Sequence, residues 1–120
     1  MHIEALRELC LQFPGTTESF PFDETTLVFK AGGKMFVLAS LEGPPAMTVK
    51  APPEEIARRQ EQYPDVGPGY HMNKKYWCTV QLTGRLPDET IRNWVSLSYH
   101  EVLASLPKYK QKEIQENPDN

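Results

Sequence analysis

The chain has 120 residues and two cysteines, long enough to bury a single-domain core without a disulfide or metal staple. Its composition, 39% hydrophobic and 24% charged, is globular and holds no apolar run of membrane-spanning length, and the acid-bearing start MHIEALRELC lacks the features of a signal peptide. A net charge of −3 argues against a dedicated polyanion binder, so any nucleic-acid contact must rest on a local patch.

The first predicted element is a helix over residues 3 to 13, where Ile3, Leu6, Cys10 and Phe13 recur at helical spacing and Pro14-Gly15 stops the run. TTESFPFDE reads as a turn-rich connector whose Phe20 and Phe22 plug a core edge. TLVFK (26 to 30) and KMFVLAS (34 to 40) read as strands of a hairpin across Ala31-Gly32-Gly33, followed by a third strand, AMTVK (46 to 50). A short helix opens at APPEEIARRQEQY (51 to 63), with Pro at its start and two acids in its first turn. Only Ile56, Ala57 and Tyr63 are expected to face inward there. The loop PDVGPG leads to a strand expected over about 75 to 82. The last helix carries Ile91, Trp94, Val95, Ser98, Val102 and Leu106 at intervals of three and four, with Pro107 as its stop. Residues 1–107 therefore read as one domain and 108–120 as a polar, frayed tail. The order predicts an α+β class: a two-layer fold with helices packed on one face of a curved antiparallel sheet, the other face left partly open.

The densest chemistry lies in PGYHMNKKYWCTV (68 to 80). Strand alternation places Tyr76, Cys78, Val80 and Leu82 toward the helices and His71, Asn73, Lys75 and Trp77 on the opposite face. Cys78 then reads as a small core residue, and a Cys–His catalytic pair with His71 is disfavoured because the two project apart. Trp77 beside Lys75, Asn73 and His71 resembles a stacking platform for nucleic acid. The competing reading covers the ring with the tail, a loop or a partner subunit. His2, His71 and His100 show no metal-ligand spacing, and the acid pairs Glu54-Glu55 and Asp88-Glu89 are explained by helix N-termini. Hence no catalytic residue, metal or cofactor is expected, and His71 is read as tying down the loop near Asp65.

Three blocks identify a resemblance to the MmcQ/YjbR family of small bacterial proteins: FPFDETTLVFKAGGKMFVLA (20 to 39), EQYPDVGPGYHMNKKYW (61 to 77) and LPDETIRNWVSLSYHEVLASLP (86 to 107). The resemblance implies a fold similar to CyaY/frataxin and to secretion-chaperone-like domains, and DNA binding through a double-wing arrangement. The chain departs from the family pattern at Tyr76, where a second histidine is common, so no paired-histidine role is implied. Frataxin-like iron binding is not implied either, because the first helix offers only Glu4 and Glu8 around Arg7. The leading expectation is a cytoplasmic, non-enzymatic, monomeric DNA-binding protein. Lys74 and Lys75 would meet phosphates, Asn73 and His71 would hydrogen-bond, and Trp77 would stack, with Lys30, Lys34 and Lys50 widening the basic patch. The alternative is a module binding a protein or small ligand on the same open face.

Overall fold

The computed structural model describes residues 1–116. Six strands form one antiparallel sheet in the order β1-β2-β3-β4-β6-β5: β1 (Thr16–Ser19), β2 (Thr26–Ala31), β3 (Lys34–Ser40), β4 (Ala46–Lys50), β5 (Val66–Pro68) and β6 (Trp77–Gln81). Four helices, α1 (Ile3–Leu11), α2 (Pro53–Gln62), α3 (Asp88–Ala104) and α4 (Lys108–Glu116), make up the rest of the regular structure among the described residues. This is the expected α+β class. Helix α3 lies across β2, β3 and β4, α1 against β1, and α2 against β5 and β6.

Alternation builds the helix-covered core. Leu27, Phe29, Val37, Ala39, Met47, Val49, Cys78 and Val80 point one way, and Leu6, Cys10, Ile56, Ile91, Trp94, Val95, Tyr99 and Val102 meet them from the helices. A bulge at Phe29/Lys30 shifts the β2–β3 register, so consecutive Phe36 and Val37 both enter this core. Ser98, the one polar member of the predicted α3 stripe, is fully buried. Its hydroxyl donates to the Phe36 carbonyl and accepts from the Lys50 amide, 2.9 Å away, which satisfies a polar group the core would otherwise penalise.

Several expectations need correcting. The connector after α1 contains β1, and the loop before the final strand contains β5. Both are short edge strands ordered by pairing with a neighbour rather than by apolar alternation. Phe20 and Phe22 are exposed instead of plugging the core. In α2, Ala57 is exposed and Arg59 takes the buried position. Its guanidinium lies 4.3 Å from the Trp94 ring centre, its Nε donates to Glu55 Oε2 at 2.8 Å, and its Nη1 sits 3.8 Å from Cys78 Sγ. Residues 108–116, expected as part of a frayed tail, form α4, whose Ile114 packs close to Gly15 and Gly32 and whose Gln111 side-chain Nε2 donates to the Leu106 carbonyl at 2.8 Å. The last part of the expected tail, 117–120, lies outside the described residues.

Candidate functional site on the uncovered sheet face

On the face away from α3 the side chains fall into two zones. At one end Val28, Leu38 and Trp77 form a second apolar cluster, with Met35 and Met72 packed on it. Next to it, and sharing Leu38 and Met72 with it, the β1–β2, β3–β4 and β5–β6 loops rise around a groove of about 760 Å³ toward the other end. Leu38, Ser40 and Thr48 lie along the strands there, and the groove is rimmed by Phe22, Glu42, Tyr70 and His71. A second hollow of about 510 Å³ continues toward β5 and β6, sharing Ser40, Glu42 and Tyr70 with the first.

Residues 69–76 make this division. Strand geometry begins only at Trp77, so the alternation expected back to His71 does not hold. Gly69 sits on the Trp77 backbone: a Cβ there would stand 2.7 Å from Trp77 Cβ and 2.9 Å from its carbonyl oxygen. Only glycine permits so close an approach. The Tyr70 amide donates to Thr79 Oγ1 at 2.9 Å, and Thr79 Oγ1 in turn lies 2.8 Å from Thr48 Oγ1. Two sheet hydroxyls thereby pin the loop over the face. His71 takes a left-handed backbone, φ 61°, which non-glycine residues seldom adopt, and the Met72 amide closes the turn onto the Gly69 carbonyl. The result folds Met72 down onto the apolar cluster and leaves Tyr70 exposed with its ring 4.0 Å from that of His71.

The candidate residues are accordingly dispersed. Trp77 does lie on the uncovered face, yet it is only 8% exposed. Its ring fills the apolar cluster and offers no stacking platform, which corrects the exposed ring expected from the sequence. Tyr76, expected in the core, is exposed because it precedes the strand. Asn73 Oδ1 accepts from the Lys75 amide at 2.9 Å, capping a turn. The Lys74 ammonium bends back to the Gly69 carbonyl at 3.3 Å, and that of Lys75 lies 5.5 Å from the Tyr76 ring centre. Lys34 leaves the expected patch: its ammonium lies 3.3 Å from Ser105 Oγ at the end of α3, where it meets the negative pole of the helix. Lys30 and Lys50 alternate with inward-facing neighbours and emerge on the uncovered face, at the Trp77 end. His71 alone among the expected binding residues lines the groove. Among the described residues its imidazole makes no hydrogen bond that would tie the loop down, while Asp65 accepts from Thr83 at 2.6 Å and pairs with Arg85 at 3.5 Å.

Sequence reasoning did not identify Phe22, Glu42 and Tyr70 as site residues. The available signal was exposed aromatics in loops that all emerge at one end of a meander, a placement visible only once strand order is known. Asp23 is held by its own turn. Its carboxylate accepts from the Thr25 and Thr26 amides at 2.9 and 2.7 Å, and the first of these bonds is the main reason it is held below the usual aspartate range. It therefore adds a fixed negative charge to the groove it lines.

The YjbR family model matches residues 11–101. Among curated relatives, the uncharacterized protein YbdF of Escherichia coli O157:H7 is 36% identical over 112 residues, covering 92% of each chain. The uncharacterized protein YjbR of Escherichia coli K12 is 34% identical over 113 residues, 93% of this chain and 96% of its own. A crystal structure of a Deinococcus radiodurans protein with a DUF419 domain superposes with a TM-score of 0.88 at 36% identity, covering 98% of this chain and 90% of the other. A Pseudomonas syringae protein, 21% identical, shares the fold with a TM-score of 0.74 over 85% of this chain and 99% of its own. By sequence and by architecture, the chain belongs to the YjbR family.

Proposed function

We propose that this protein is a non-enzymatic binding module whose ligand is a small molecule or short chain segment held in the groove on the uncovered sheet face. One observation carries the reading: on a sheet otherwise covered by helices or by its own apolar cluster, three loops leave a concavity of about 760 Å³ with exposed aromatic rims at Phe22 and Tyr70. A concave, partly apolar site with a few convergent polar groups is the usual form of a ligand site. The two buried free thiols, Cys10 and Cys78, fit the cytoplasmic location expected from the sequence.

The test is a fragment screen read by backbone amide shifts. Hits should perturb Thr25, Gly43, Tyr70 and His71 together, and Ser40→Trp, which fills the groove from its strand floor, should abolish those shifts. Hits that cluster elsewhere, or that survive Ser40→Trp, would sink the groove as the binding site.

Contact with nucleic acid is a second reading, favoured by the emergence of Lys30 and Lys50 on the same face, near the loop that bears Lys74 and Lys75. In this reading the contacts are to phosphates, without stacking by Trp77. Binding seen in a gel shift should then weaken with salt along the shallow slope of a few phosphate contacts and disappear in Lys30→Ala/Lys50→Ala. Binding indifferent to either change would remove it.

A further inference from the structure

The lining of the groove also selects a class of ligand, an inference that rests on the groove being the binding site. Of the residues lining the two connected hollows, Asp23, Glu42 and Asp65 are acidic, His71 is the one histidine, and none is lysine or arginine. Arg85 pairs with Asp65 from outside the lining at 3.5 Å. The Lys74 ammonium is turned onto Gly69. Asp23 stays ionised because its turn hydrogen-bonds the carboxylate form. Glu42, exposed on the β3–β4 loop, borders both hollows and makes no ion pair among the described residues. Beside these charges stand two largely exposed rings, Phe22 at 62% and Tyr70 at 67%, both lining the groove.

We infer that the groove takes a small organic cation with an aromatic or apolar body, such as an arylalkyl amine. Exposed carboxylates attract an ammonium group, and aromatic faces attract it through the ring quadrupole. The same aromatic faces and Leu38 accept the apolar body. An anionic ligand of equal size would meet the carboxylates of Asp23 and Glu42 and, in the second hollow, an Asp65 already paired with Arg85, with no lysine or arginine in the lining. The selection is therefore by repulsion as well as by attraction. Glu42 and Tyr70 carry the assignment because each, like Ser40, borders both hollows, so a molecule spanning the two lies against both.

Three soluble probes of similar size, phenethylammonium, 2-phenylethanol and phenylacetate, decide the matter when titrated against amide shifts of Tyr70, His71 and Gly43. The cation should bind about threefold to fivefold more tightly than the alcohol, the range of a partly exposed ion pair, and the acid should bind least. Glu42→Gln should erase most of the margin between cation and alcohol, by weakening the cation far more than the alcohol. Tyr70→Ala should weaken the cation about threefold to tenfold. Equal binding of alcohol and cation, tighter binding of the acid, or an unchanged cation margin in Glu42→Gln would each overturn the cationic class and leave the groove intact as a site. If none of the probes shifts the groove amides at about 20 mM, where affinities of a few kcal/mol still register, the groove reading falls along with the inference.

Discussion

Arg59 is fully buried in a helix that otherwise reads as solvated, and its removal tests the energetics of the helix-covered core. Its Nε–H meets Glu55 and its guanidinium covers Trp94, but Nη2 is buried with no hydrogen-bond partner among the described residues. Arg59→Ala loses two packed methylenes (Cγ and Cδ) at ~0.8 kcal/mol each and a desolvated cation–π contact of ~1–2 kcal/mol, and the cavity left in the core adds to the cost. Relief from burying the charge and the orphan Nη2 offsets part of this loss. We expect a net cost of about 3 kcal/mol. Arg59→Met keeps the stem and deletes the charge, while Glu55 keeps its bidentate partner Arg58, so it should stay within about 1 kcal/mol of the parent. Glu55→Ala is the opposite case. It strands the guanidinium with only a thiol and a ring, at a cost of about 3 kcal/mol. Equilibrium urea unfolding, followed by emission of the buried Trp94 and Trp77, measures all three. With m near ~1.5 kcal/mol/M, the Ala variants should lose about 2 M in midpoint. If Arg59→Met proves as damaging as Arg59→Ala, or Glu55→Ala is silent, the account of a costly charge held by one carboxylate is refuted.

Glu55 also gives a pH dependence. The Arg58 and Arg59 hydrogen bonds lower its carboxyl from 4.5 to about 2, so its contribution is complete above about 4.5 and is lost as pH falls toward 2, a decline in urea midpoint that Glu55→Gln should flatten. Gly69→Ala forces a Cβ onto the Trp77 backbone and should both destabilise the fold by about 2 kcal/mol and shift the Tyr70 and Met72 amides, separable by urea unfolding and NMR. Burial pushes both the Cys10 and Cys78 thiols up. Native protein should therefore resist DTNB at pH 8 and react fully in denaturant, and prompt native labelling would contradict the buried placement.

What the sequence made legible follows from the range of the interactions involved. The α3 stripe from Ile91 to Leu106 and the inward set Cys78, Val80 and Leu82 are local periodicities, and the structure places them as read. β1 and β5 were not legible because Thr16–Ser19 and Val66–Pro68 become strands through hydrogen bonds to β2 and β6, not through their own side chains. Arg59 escaped because its partners Trp94 and Cys78 lie on other elements, 35 and 19 positions away. The same limit applies to Trp77. Alternation gave its face correctly, but what covers it, Met72 folded back by the left-handed turn at His71, is a loop conformation that no periodicity encodes.

The folded-back loop also changes what net charge can say about function. Along β4 the uncovered face runs from Ala46, at the acidic groove end, to Lys50, opposite Trp77. Strands of five to seven residues span about 17–23 Å, whereas the Debye length at physiological salt is about 8 Å. Glu42 and Asp23 at one end are thus screened from Lys30 and Lys50 at the other by about two Debye lengths. The overall −3 is then a poor guide to either end. A polyanion laid along the strands would be attracted at the lysine end and repelled at the groove, so its footprint is confined to a few phosphates and a shallow salt slope. A small cation meets only the acidic end. The two readings of this face therefore concern different residues, and Glu42→Gln and Lys30→Ala/Lys50→Ala should each leave the other's binding unaffected.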